Sequence, residues 1–146
     1  MRRPMAVHVE LFAVGTAPPE DVWAIVGDVR RLPAWTDAHE VARVEPDPVV
    51  AGTELVVVDR GRSRLWRVIT VGPRVLEVTT DTPHGPIGLG VRVARERSGS
   101  RLVLAGALHP TGARQRLQAR ILEAPALRRR FDRWTRSALD LAARAR

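Results

Sequence analysis

The chain has 146 residues and contains no cysteine, no tyrosine and no lysine. The missing cysteine excludes disulfides and thiolate metal sites outright. With no cysteine, tyrosine or lysine and no Gly-x-Ser-x-Gly element, nucleophilic catalysis has little support. Ser63, Ser98, Ser100 and Ser137 fall in turns or near the carboxy terminus, with no histidine partner evident in sequence. Aromatic residues make up only 4% of the chain, and four of those six are tryptophan. The longest apolar run is about LVLAGAL, residues 102–108, far below the roughly 18 residues of a spanning helix. The amino-terminal MRRPMAVHVE starts basic, but Glu10 interrupts any signal-like apolar core. A soluble, cytoplasmic protein is the expectation.

What the chain does have is arginine, which accounts for all 24 basic residues and a net charge of +8. The excess is local. Residues 1–112 hold 14 arginines against 13 acids, whereas residues 113–146 hold 10 against 3. The length suits one domain, residues 1–146, able to bury about 70% of its unfolded surface without staples. No internal repeat or low-complexity linker divides it.

Periodicity sets the order of elements. AVHVELFAVG alternates as a half-buried strand does. In TAPPEDVWAIVGD, proline and two acids suit a helix amino terminus, and Val22, Trp23 and Val26 recur at helical spacing. RRLPAW reads as a second short helix or turn. HEVARVEPD, TELVVVD, RLWRVITV, VLEVTTD, IGLGVRVARE and RLVLAGALHP then read as six strands joined by Gly- or Pro-bearing turns. From Gly112 to Arg146 one long helix is expected. Its apolar stripe is Leu117, Ile121, Ala124, Leu127, Phe131, Trp134, Ala138 and Leu141, and Pro125 should kink it. A sheet of about seven antiparallel strands cannot bury its inner face with two short helices. The long helix must lie across it, in an α+β architecture.

Four stretches carry a family resemblance. APPEDVWAIVGD, DVRRLPAW, RLWRVITVGPRVLEVTT and GPIGLGVRVARERSGSRLVLAGAL, in this order and followed by the terminal helix, span nearly the whole chain. The chain resembles the START/Bet v 1-like (SRPBCC) superfamily, and especially its bacterial polyketide cyclase/dehydrase-like members. TDAH after Trp35 departs from the Asn, His or Pro that members often carry there. The resemblance implies a helix-grip fold: a curved sheet wrapped around the long carboxy-terminal helix, with an apolar cavity between them for a lipid, polyketide or other hydrophobic molecule. It brings no shared catalytic set to map onto these positions.

Within that frame the expected cavity lining is Trp35, Trp66, Leu76, Val78, Leu89, Val91, Leu104, Phe131 and Trp134. His8, His39, His84 and His109 include no pair at i, i+3 or i, i+4, so no metal is expected. GPIGLG lacks the G-x-G-x-x-G spacing of a dinucleotide site, and no cofactor is expected. His84, in the loop DTPHGP, could act as a polar gate or a general acid/base. Arg64 and Arg67 have opposite parity in their strand, and whichever points inward could orient an anionic or enolate oxygen. Trp66 and Val68 share the parity of Arg64, Leu65 and Ile69 that of Arg67, so the phase stays open. Arg92, between Val91 and Val93, should point outward.

The leading expectation is therefore a binding protein for a hydrophobic small molecule. The first alternative is a polyketide aromatase/cyclase-type enzyme, for which His84, Arg64 and Arg67 are the catalytic candidates. A third is an interaction module whose Arg128, Arg129, Arg130, Arg133 and Arg136 meet nucleic acid or an acidic partner. That reading ranks last, because Phe131 and Trp134 follow the apolar stripe rather than an exposed face. A homodimer is left open.

Overall fold

The structure, a computed structural model, describes residues 6–145; Met1–Met5 of the basic amino terminus and Arg146 of the expected helix lie outside the described residues. Strand β1 (Val7–Gly15) leads into helix α1 (Pro19–Val26), a 3₁₀ turn (Val29–Arg31) and the one-turn helix α2 (Leu32–Trp35). Six strands follow: β2 (Glu40–Glu45), β3 (Glu54–Asp59), β4 (Arg62–Gly72), β5 (Val75–Thr82), β6 (Gly85–Glu96) and β7 (Gly99–Leu108). The chain ends with α3 (Ala113–Gln118), a π-helical turn (Ala119–Glu123) and α4 (Ala124–Arg144).

All neighbouring strands are antiparallel, in the order β1-β7-β6-β5-β4-β3-β2. Strands β2 to β7 form a meander, and β1 returns to pair along β7 from Val7 opposite Leu108 to Gly15 opposite Ser100. Period-2 alternation sets the inner face. Leu76 on β5, Val91 and Val93 on β6, and Leu102 and Leu104 on β7 are buried, while Arg92 between them is exposed as expected.

Helix α4 lies over the β1 and β7 side of this face. Gly106 of β7 makes that approach feasible, because a Cβ there would stand 2.8 Å from Leu127 and 3.2 Å from Phe131. Phe131, buried beside Gly106 and against Trp134, anchors the helix. Its burial is worth about 2–3 kcal/mol in transfer free energy. The amino-terminal helices close the other end: Val22, Ile25, Val26 and Val29 are buried in the same core. Asp28 caps the 3₁₀ turn by accepting from the Arg30 N–H at 3.0 Å.

The long helix departs from the expected simple kink. The proline is accommodated by the π-helical turn ahead of it, in which the Ala124 N–H donates to the Ala119 carbonyl. One extra residue in that turn rotates everything before it by about 100° around the axis. Leu117 and Ile121, expected on the buried stripe, are therefore 60% exposed, together with Leu122 at 61%. The stripe is core from Ala124 onward only.

Candidate ligand cleft

The inner face is not covered evenly. Toward the α1 end it is closed, with Leu55, Val68, Leu76, Val91 and Val93 buried. Toward the other end the same strands carry Val57, Trp66, Val78, Ile87 and Leu89, which are only half-buried. The cause is the lateral position of α4, which leaves the mouth end of β3 to β6 without a full helical roof. Of the nine residues expected to line a cavity, Trp35, Leu76, Val91, Leu104 and Phe131 sit in the closed core. Trp66, Val78, Leu89 and Trp134 are the half-buried ones packed against it.

Trp35 and Trp134 explain how the two ends meet. Their rings stand edge to face, with centroids 6.5 Å apart and planes at 90°. Phe131 tilts onto Trp134 at 5.8 Å. The ring at the end of α2 thus packs against another ring. Both indole Nε1 atoms are buried without a hydrogen-bond acceptor, and an unmade hydrogen bond of this kind costs about 1–3 kcal/mol. A ligand oxygen or an ordered water reaching them would recover that cost.

At the mouth end lies a cleft of about 280 Å³, at the small end of the roughly 300–1,000 Å³ of small-molecule sites. Ile87 and Leu108, cross-strand partners on β6 and β7, give it an apolar floor. Arg62 and Arg64 at the start of β4 form one wall. They share the face of Trp66 and Val68, so Arg64 is the inward member of the ambiguous pair. Arg67 lies on the outer face, exposed, in register with Glu54 and Thr79. His84 and His109 also line the cleft, and Glu123 of the π turn borders it from the helix side.

The two histidines meet through tertiary structure. Thr82 and Gly85 close the β5–β6 hairpin, the Thr82 hydroxyl donating to the Gly85 carbonyl at 2.7 Å and accepting from the His84 N–H at 3.2 Å. Gly85, at φ +115°, presses that hairpin against the segment after β7; a Cβ would stand 2.1 Å from the His109 carbonyl oxygen. The His109 N–H in turn donates to the Pro86 carbonyl at 3.0 Å. Sequence spacing overlooked His109, Arg62 and Glu123 because they reach the cleft from separate elements. The one usable signal was the i, i+2 spacing of Arg62, Arg64 and Trp66.

Among the described residues no three His, Asp or Glu side chains group as metal ligands would, although His84, His109 and Glu123 border one cleft. His8 and His39 are exposed elsewhere. A second, open groove of about 350 Å³ runs between α1 and the β2–β3 connection, past Trp23, Val29, Val44 and Val49, and is crossed by an Arg30–Asp47 ion pair at 2.6 Å. Beside it on β2, the hydrogen bond and charge of Glu45 raise the pKa of Arg43, away from the mouth cleft.

The arginines of α4 are partly engaged within the molecule. Arg133 meets Asp37 at 3.2 Å, Arg136 meets Asp132 at 3.1 Å, and Arg128 donates to the Glu10 carbonyl at 3.3 Å. No helix among the described residues is long and apolar enough to cross a membrane.

A family model described as polyketide cyclase / dehydrase and lipid transport matches residues 6–145. The chain belongs to this family. Solved structures agree with its helix-grip fold. XoxI from Bacillus cereus superposes with a TM-score of 0.74 at 14% identity, over 92% of this chain and 94% of that one. The Zhui aromatase/cyclase from Streptomyces sp. R1128 gives 0.70 at 20% identity, over 95% and 94%. Ara h 8.0201 gives 0.66 at 12% identity, over 94% and 98%. At these identities the likeness is one of fold. No functionally curated protein sequence matches the chain.

Proposed function

We propose that this member of the polyketide cyclase/dehydrase and lipid transport family binds a hydrophobic small molecule between the mouth end of its sheet and the long helix. The observation that carries the reading is the burial gradient along single strands. Val91 is buried while Leu89 and Ile87, on the same face of β6, are half-open, and Val78 and Trp66 repeat this on β5 and β4. Apolar side chains left half-open on a concave face gain about 25 cal/mol for each Å² that a ligand covers.

The test is uptake of a neutral fluorescent hydrophobe such as N-phenyl-1-naphthylamine by the purified chain. Saturable binding with a blue-shifted emission is expected, and an emission indistinguishable from the probe in buffer would sink the reading. The cyclase-type alternative draws on His84 and Arg64 bordering one cleft with His109. Its mark is an activity on a polyketide-like chain that His84→Ala abolishes while probe uptake persists; retained turnover would remove His84 from that role.

A further inference from the structure

Some surface arginines are neutralised within the molecule and others, the two on the mouth among them, are not. Arg30, Arg31, Arg43, Arg74, Arg101, Arg133 and Arg136 all have carboxylate partners. Arg62 and Arg64 have no ion pair or side-chain hydrogen bond among the described residues, although they line a concave site. Asp59 lies across the ladder from Arg62 and makes no ion pair with it. Spaced i, i+2 on an extended strand, the two guanidiniums point the same way about 7 Å apart at Cα. Their fork of donors matches the oxygens of a carboxylate or phosphate. His84 and His109 also border the cleft, and Glu123 is the one acid on the lining. The permanent charge there is two cations against one anion, which favours an anionic guest.

The floor decides what is attached to that anion. Ile87 continues on the same face of β6 into Leu89 and then Val91, and Arg64 continues on β4 into Trp66. A group held at the arginines therefore has an apolar track leading inward from it. We infer that the cleft takes an amphiphilic anion, an aliphatic or aromatic chain ending in a carboxylate or phosphate, with its charged end on Arg62 and Arg64. This rests on the hydrophobic-ligand reading above and adds the chemistry of the ligand's head.

The experiment compares laurate, dodecyl phosphate and dodecanol, which share one tail, by displacement of N-phenyl-1-naphthylamine. In the native protein both anions should bind at least about tenfold tighter than the alcohol, as expected of charge-assisted hydrogen bonds. That advantage should shrink as salt is raised. In the Arg62→Gln/Arg64→Gln double variant both anions should lose at least about tenfold in affinity and fall to that of dodecanol on the same variant. Equal affinity of all three in the native protein would overturn the inference while leaving the cavity reading intact. So would a loss in the variant that dodecanol shares, which would mean that the arginines only shape the cleft. Inorganic phosphate displacing dodecyl phosphate at equal concentration would reduce the site to a simple anion site and overturn the amphiphile. If the neutral probe itself finds no site, the cavity reading fails and the head-group inference falls with it.

Discussion

Gly85 shows how much of the mouth depends on one missing Cβ. Its φ of +115° is costly for any L side chain, and the atom added by alanine would overlap the His109 carbonyl. The β5–β6 hairpin would have to swing away from the segment after β7, taking His84 from the wall that His109 shares. Gly85→Ala should lower stability by about 2 kcal/mol or more in urea unfolding. A change within about 0.5 kcal/mol would show that the hairpin can move freely. The same scale explains which side chains the sequence left ambiguous. Leu65 and Ile69 are apolar yet 51% exposed on the outer face. Hydrophobicity therefore did not separate the two faces of β4, and the parity of Arg64 against Arg67 stayed open until the register with β3 and β5 resolved it. Where the outer face is charged, as at Arg92 between Val91 and Val93, alternation alone was enough.

At the scale of elements, seven strands, two short helices and a long terminal helix were readable in order from periodicity and turn residues. The irregular part was not. Proline at 125 signals that an α-helix cannot continue unchanged, but a kink and a π turn are both answers to that signal. The π turn was chosen, and its extra residue turns Leu117 and Ile121 out of the core stripe. Mutational cost should follow the structure rather than the stripe. Leu117→Gln and Ile121→Gln should each change stability by no more than about 0.5 kcal/mol. Phe131→Ala, on the enclosed part of the same helix, should cost about 3–5 kcal/mol. Chemical denaturation of the three variants checks this; a loss above about 2 kcal/mol at Leu117 or Ile121 would mean that the segment packs against the sheet in solution. The meeting of His84 with His109 was equally hidden, because a hairpin and a strand end separated by a whole β6–β7 pair must first dock.

For the molecule as a whole, an unevenly roofed sheet links stability to ligand. A guest that binds only the folded state adds RT ln(1 + [L]/Kd), about 2.7 kcal/mol at a hundredfold excess over Kd. For a chain of this size that is a rise in Tm of about 5–10 °C. The half-open residues identify where the gain arises, so filling that space from within should replace it. Leu89 faces Val78 on one neighbouring strand and Gly106 on the other, on the same face of β6 as Ile87 of the cleft floor and one step further inward. In a close-packed core, Leu89→Phe would add bulk at a cost of about 1–3 kcal/mol. In a cleft that is open, the added ring covers Trp66 and Val78 instead and holds or raises the Tm of the free protein. The variant should then take up N-phenyl-1-naphthylamine at least about tenfold more weakly and lose most of the ligand-induced rise in Tm. Thermal unfolding of both proteins, with and without the probe, separates the cases. A drop in the Tm of the unliganded variant with probe affinity unchanged would mean that Leu89 belongs to packed core and that the ligand lies elsewhere. A free protein made more stable by the same substitution that abolishes binding would mark the open space as held for function at the expense of packing.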